Sequence, residues 1–277
     1  MAAAPSLPLT ALGGAVTLLY FVGVRRYNAT HVLRPFPRWR IAAFVSGALI
    51  LWTSLAPPLD AYADRRFAIH MVQHLLLMIV AAPLLILGTP LSVARHAAPA
   101  SWQRPLGRTL RHPAVQMLQF PVLTWGAFPA VMWGSHYSAL FEAALERPLV
   151  HMLEHALYLG AALLFWMPVV AAEPSRWRLS HPLRLLYLMV AGPPNVFLAV
   201  SLYQSTRLLY PHYEVANLLA GRSPLADQRA GAAVMWILGG IPFLIAMIAV
   251  AAAWARHETL LARRLDAALE RRETGAV

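Results

Sequence analysis

Cysteine and lysine are both absent from the chain, and aspartate and glutamate together number only 12 in 277 residues. Without cysteine the chain has no disulfide, no thiolate metal site and no iron–sulfur cluster of its own. Charged residues make up 13% and hydrophobic ones 59%, too little charge for the surface of an ordinary soluble domain. The formal net charge of +11 comes from 23 arginines. Such a balance can point to nucleic acid, but these arginines sit between apolar runs, where they act as topology determinants. No nucleic-acid partner is expected, and no segment is left over for a separate soluble domain.

What the chain has is apolar length. Seven runs approach or exceed the roughly 20 helical residues that cross a hydrocarbon layer: 7–24, 41–59, 67–91, 114–133, 149–172, 183–203 and 231–255. The expected fold is therefore all-α and polytopic, with residues 1–255 forming a seven-helix transmembrane domain. Pro57 and Pro58 truncate the second run, while Pro83, Pro121, Pro129, Pro168, Pro193, Pro194 and Pro242 kink helices without preventing a crossing. The first run lacks a basic leader and a small-residue cleavage site and reads as an uncleaved span. Residues 256–277 read as an amphipathic tail, with Leu260, Leu261, Leu265 and Leu269 at helical spacing among arginines.

Loop arginines set the expected orientation. The first, third and fifth loops and the tail hold seventeen, from Arg25 to Arg272; the alternate segments hold six, namely Arg65, Arg66, Arg147, Arg207, Arg222 and Arg229. Positive charge stays in the cytoplasm, so the N-terminus (Pro5) is expected outside and the C-terminus (Arg272) inside.

Two histidine pairs then stand out, His70-Met-Val-Gln-His74 and His151-Met-Leu-Glu-His155. A spacing of four stacks both imidazoles of a pair on one helix face. Each pair falls in the first turns of a span running inward from outside, so both lie near the outer face at similar depth. One such pair alone reads as interfacial imidazoles satisfied by water or backbone. Two at matching depth can converge on up to four nitrogen ligands, and ionisable groups within spans are functional by default. His136, in the short outer loop 134–148, joins them as a mobile outer ligand. Imidazole with thioether suits copper, which makes Met78 and Met132 auxiliary candidates, although methionine is also the ordinary gap-filler of apolar helices. His212 lies in the longer outer segment 204–230. His31, His96, His112, His181 and His257 read as cytoplasmic loop residues.

Two other chemistries compete. A b-type haem takes one axial histidine from each of two helices, which leaves one haem between the third and fifth spans as the alternative cofactor. The order His151-x-x-Glu154-His155 also matches inverted zinc peptidases, in which the glutamate is the general base. That site needs a third ligand. Glu173 is about 27 Å along the same helix, and Glu214 lies in an outer segment. Glu154 is better read as orienting a histidine or neutralising a bound ion.

The run from His70 through His74 into Leu-Leu-Leu-Met-Ile-Val-Ala-Ala-Pro-Leu-Leu-Ile-Leu-Gly-Thr-Pro90, the segment Trp133-Gly-Ser-His136-Tyr, and the following His151-x3-His155 together resemble the polytopic CtaG family of cytochrome c oxidase assembly factors. The resemblance runs from about the second span to the seventh, and the order of its three histidine motifs is its most specific part. Glu154 is not part of the family motif. The resemblance implies a multi-pass protein of the bacterial cytoplasmic (inner) membrane that is not an enzyme. It would help assemble a haem–copper oxidase, with oxidase subunits or other assembly factors as partners and copper handled on the outer side. The alternatives are a b-haem electron carrier and a metal-free scaffold.

Overall fold

The computed structural model describes residues 7–173 and 175–273, and the described residues are helical with no strand. The expected positions of Pro5 and of the last residues of the tail lie outside them. In chain order the helices are α1 (Leu7–Thr30), α2 (Arg38–Leu55), α3 (Leu59–Ala63), α4 (Phe67–Leu87), α5 (Pro90–Ala97), α6 (Ala100–Leu110), α7 (Pro113–Leu118), α8 (Pro121–His136), α9 (Ala139–Glu146), α10 (Pro148–Val170), α11 (His181–Gln204), α12 (His212–Leu219) and α13 (Pro224–Glu273). By length and composition α4, α10, α11 and α13 can cross a membrane. The outward faces agree: Leu183, Met189 and Phe197 of α11, and Ile237, Leu244, Ile245 and Ile248 of α13, are exposed. Water would not tolerate so continuous an apolar belt, whereas lipid would.

Proline decides where several helices stop. α2 ends at Leu55, ahead of Pro57, because a residue preceding proline is pushed out of the helical region. The run expected as one span over 114–133 is broken for the same reason. Phe120, before Pro121, is extended at φ −64° and ψ 123°, so the run divides into α7 and the 16-residue α8. That helix is about 24 Å long, short of a ~30 Å hydrocarbon core. Within α8, α10, α11 and α13 the helix continues through Pro129, Pro168, Pro193–Pro194 and Pro242.

α4 is not uniform. Leu76–Ala81 forms a π turn, which inserts one residue into the helix directly after the His70–His74 pair. The Ala82 N–H bonds to the Leu77 carbonyl in the wider i→i−5 pattern. The next bond in that series would join Pro83 to the Met78 carbonyl, and proline has no N–H to give. Trp166 of α10 supplies the missing donor, its indole Nε1 lying 3.1 Å from that oxygen. The first half of α4 packs on α13, and the second half on α2 and α10. Two glycines permit these approaches. A Cβ at Gly231 of α13 would stand 2.3 Å from Phe67 Cδ1, and one at Gly47 of α2 would stand 2.9 Å from the Leu85 nitrogen.

α10 stops at Ala171, which adopts a left-handed conformation at φ 47°, and the chain then carries Glu173 back to the start of α5. There the carboxylate accepts bonds from Leu91 N (2.8 Å), Ser92 N (3.1 Å) and Ser92 Oγ (2.6 Å), satisfying the open N–H groups of a helix start. Past the apolar run α13 continues unbroken to Glu273, with Leu260, Leu261, Leu265 and Leu269 exposed.

Candidate metal centre

Each histidine pair occupies consecutive turns of one helix, so α4 and α10 present two short columns of imidazole across a narrow gap. One donor atom from each of His70, His74, His151 and His155 falls in a group whose members all lie within 4.8 Å of one another. Ring centroids are 5.3 Å apart for His70–His151, 5.2 Å for His74–His155 and 4.2 Å for His151–His155. His70 and His74 are 1% exposed and His155 is 8%, while His151 at the mouth is half-buried.

The hydrogen bonds of the tetrad leave ligand capacity over. His70 Nε2 and His74 Nε2 share a proton across 2.9 Å, and His70 Nδ1 pairs with the Tyr213 hydroxyl at 2.9 Å. His74 Nδ1, His151 Nε2 and His155 Nε2 are buried with no hydrogen-bond partner. Buried nitrogens without partners cost about 1–3 kcal/mol each, and three in one cluster amount to a site that a cation would satisfy. Four nitrogens held tetrahedrally at 2.0–2.1 Å from an ion stand about 3.4 Å apart. The widest separation in the group, 4.8 Å, exceeds that spacing by about 1.4 Å. The donor set fits an imidazole-loving ion such as copper or zinc.

Aromatic rings wall the tetrad. Phe141 of α9, fully buried, meets His70 at 5.4 Å, His74 at 6.4 Å and His136 at 5.2 Å between centroids. Tyr158, one turn beyond His155, stands edge-on to His74 at 4.6 Å. Its hydroxyl hydrogen-bonds Ser135 Oγ and approaches His136 Nδ1 at 3.4 Å. Glu154, 2% exposed, points toward Tyr158 from the same helix face.

His136 departs from expectation in two ways. It is the last residue of α8 and 3% exposed, not part of a mobile loop, because Ser138 immediately caps α9 through the Leu140 N–H. It also stands outside the four-histidine group, with Phe141 touching both. Met78 and Met132 are buried in the apolar core. The acids considered as a third peptidase ligand do not reach the tetrad: Glu173 is engaged at the start of α5, and Glu214 is exposed on α12.

The segment 204–230, expected as an outer loop, folds over the tetrad as α12. There it brings in residues that sequence spacing could not flag. Tyr213 comes to His70 from 143 residues away, and Asp227 accepts from Phe67 N at 2.7 Å while pairing with Arg66 at 3.4 Å, fixing the start of α4. Gln73 bonds Ser54 O and Asp60 Oδ1, holding α3 against α4. At the rim His212 Nε2 lies 3.0 Å from the Asp64 carbonyl and 3.3 Å from its carboxylate. That bond raises the His212 pKa above 6.5 and lowers the Asp64 pKa below 3.8. The signal for these residues was weak in advance: acids are scarce enough that each is worth tracing, but nothing in the order of residues gives their partners.

Fold and site together define a helical protein with the apolar helices of an integral membrane protein and a buried imidazole cluster at one end of the bundle. The family model for the cytochrome c oxidase caa3 assembly factor matches residues 18–257, and the chain belongs to that family. Among curated proteins, one from Mycobacterium bovis described only as uncharacterized is 26% identical over 239 residues, covering 83% of this chain and 36% of that protein. A similarly described protein of Mycobacterium leprae is 27% identical over 254 residues, covering 89% and 38%. The chain thus spans little more than a third of the length of these relatives. No solved structure matches it.

Proposed function

We propose that the protein takes part in assembling a haem–copper cytochrome c oxidase by holding copper at the outer face of the bacterial cytoplasmic membrane and delivering it to an oxidase subunit or another assembly factor. The observation that carries this reading is the convergence of His70, His74, His151 and His155 within 4.8 Å in an apolar bundle, in a chain of the caa3 assembly family. Binding and release require no chemical turnover, so the protein works without catalysis. Glu154 offsets the charge of the ion, and Tyr213 orients His70, as partners of metal-bound histidines do. The close contact of the rings, with centroids of five of the six pairs from 4.2 to 6.3 Å apart, favours an ion over a haem, whose macrocycle needs a flat slot between its axial ligands.

The same reading includes seven crossings, with α1, α2 and the broken α7–α8 run joining the four long helices, the N-terminus outside and the tail of α13 continuing as a helix on the cytoplasmic side. The seventeen-to-six division of arginines supports this orientation. A reporter fused at Arg104 is expected to read cytoplasmic, and an external reading would reverse the placement of the site. The metal assignment is tested by elemental analysis and absorption of the purified protein. One copper bound per chain without a Soret band supports the copper reading; a Soret band would replace it with haem, and neither would leave a scaffold.

A further inference from the structure

We propose that the cavity beside the tetrad, lined by His136, Glu142 and Tyr210, is a second and weaker cation site: the port through which copper enters or leaves the four-histidine centre. The proposal rests on the copper reading above. The cavity has a volume of about 230 Å³ and is partly open to solvent. Two of its lining residues, His136 and Glu142, each carry an unpaired polar atom of the right kind. His136 Nδ1 lies 2.8 Å from the Met132 carbonyl, so Nδ1 carries the hydrogen and Nε2 keeps a bare lone pair. Nε2 is buried with no hydrogen-bond partner. Glu142 uses one carboxylate oxygen to accept from the His212 N–H at 3.0 Å, and its other oxygen is likewise buried and unpaired.

A neutral imidazole lone pair and a carboxylate oxygen cannot satisfy each other, since both only accept. A cation satisfies both. The local fold brings both residues to the wall of one cavity: His136 ends α8, Ser138 turns the chain, and Glu142 sits in the first turn of α9. Two protein donors completed by water bind an ion loosely, which suits a place the ion must leave. Between port and centre stands Phe141, in ring contact with His136 on one side and with His70 and His74 on the other. A rotation of that one ring would join the two, which makes Phe141 the gate.

The test uses the full-length protein in detergent, with buffered copper as probe, equilibrium dialysis for stoichiometry and a chromogenic chelator for exchange rates. Wild-type protein is expected to hold one tightly and one weakly bound ion. Glu142→Gln and His136→Gln are expected to weaken the second by about tenfold or more, the scale on which loss of a supporting group acts at metal sites, while the tight ion stays and exchanges more slowly. Phe141→Ala is expected to speed exchange. A tight ion with unchanged stoichiometry and rates in both polar variants overturns the port alone, as a cavity holding only water would give. Loss of the tight ion in His136→Gln or Glu142→Gln overturns it too, by making that residue part of the centre. A wild type that takes up no copper removes the copper reading and the port together.

Discussion

Tyr213→Phe removes one oxygen atom and tests whether His70 is a ligand. The hydroxyl lies 2.9 Å from His70 Nδ1, and Tyr213 is 2% exposed, so no water replaces it. A tyrosine hydroxyl can donate to a bare Nδ1 or accept from Nδ1–H. Only the second arrangement leaves the Nε2 lone pair free for an ion. Metal binding therefore selects it, and the bond strengthens as the imidazole gains positive character. Losing such a partner weakens metal binding by about 10–100-fold, or about 1.4–2.8 kcal/mol. The metal-free protein loses less, about 1 kcal/mol for one neutral hydrogen bond, because a phenyl ring keeps the packing. Chelator competition gives the first quantity and thermal unfolding of the metal-free protein gives the second. A copper affinity within about twofold of wild type, alongside a drop in stability, would refute the argument: Tyr213 would then be a packing residue, and His70 no ligand.

Three further outcomes are expected. His74→Ala and His155→Ala should leave the protein in the membrane but lower oxidase activity under copper limitation, with partial recovery on added copper by mass action; His181→Ala, near His257 at the start of α11, should have little effect, and normal oxidase in the first two would end the copper mechanism. The His212–Asp64 clasp should stabilise the fold within a pH window. The raised His212 pKa keeps its contribution complete below 6.5 and loses it as pH rises through the folded value, while the lowered Asp64 pKa keeps its own above 3.8 and loses it in stronger acid; His212→Ala should flatten the melting profile above pH 6.5, and an unchanged profile would deny the contact. Gly231→Ala should force Phe67 aside, since the new Cβ would stand 2.3 Å from its ring. Overpacking on this scale lowers stability by about 1–3 kcal/mol, visible as a lower melting temperature.

The parts of this architecture that were legible from sequence are those written locally. Apolar length places the long helices, and a spacing of four puts His70 with His74 and His151 with His155 whatever surrounds them. Proline accounts for the end of α2 and, less obviously, for the break before α8. The long-range parts were not legible. The segment 204–230 has the polarity of a loop, yet it folds as α12 because Tyr213 (2% exposed) and Tyr210 (3%) find a shared cavity against Phe67 and Phe141. His136 looked mobile because its segment is short and polar, but Ser138 starts a new helix and leaves no slack. Nor does any residue in Leu76–Ala81 announce a π turn; it arises where Pro83 leaves a carbonyl free and a tryptophan 88 residues away takes it.

That π turn sets a phase between the two halves of α4. With one residue more than an α-helix allows in that turn, the half bearing His70 and His74 is rotated by roughly 100° relative to the half that seats on α2, the angle of a single helical residue. Removing one residue from 76–81 would restore ordinary winding at no loss of apolar character. It would also turn either the histidines away from α10 or Gly88 and Leu85 away from Phe44 and Gly47, contacts the fold now makes together. The register of the histidine-bearing face is thus stored several residues further along the helix, in a stretch without a single polar side chain.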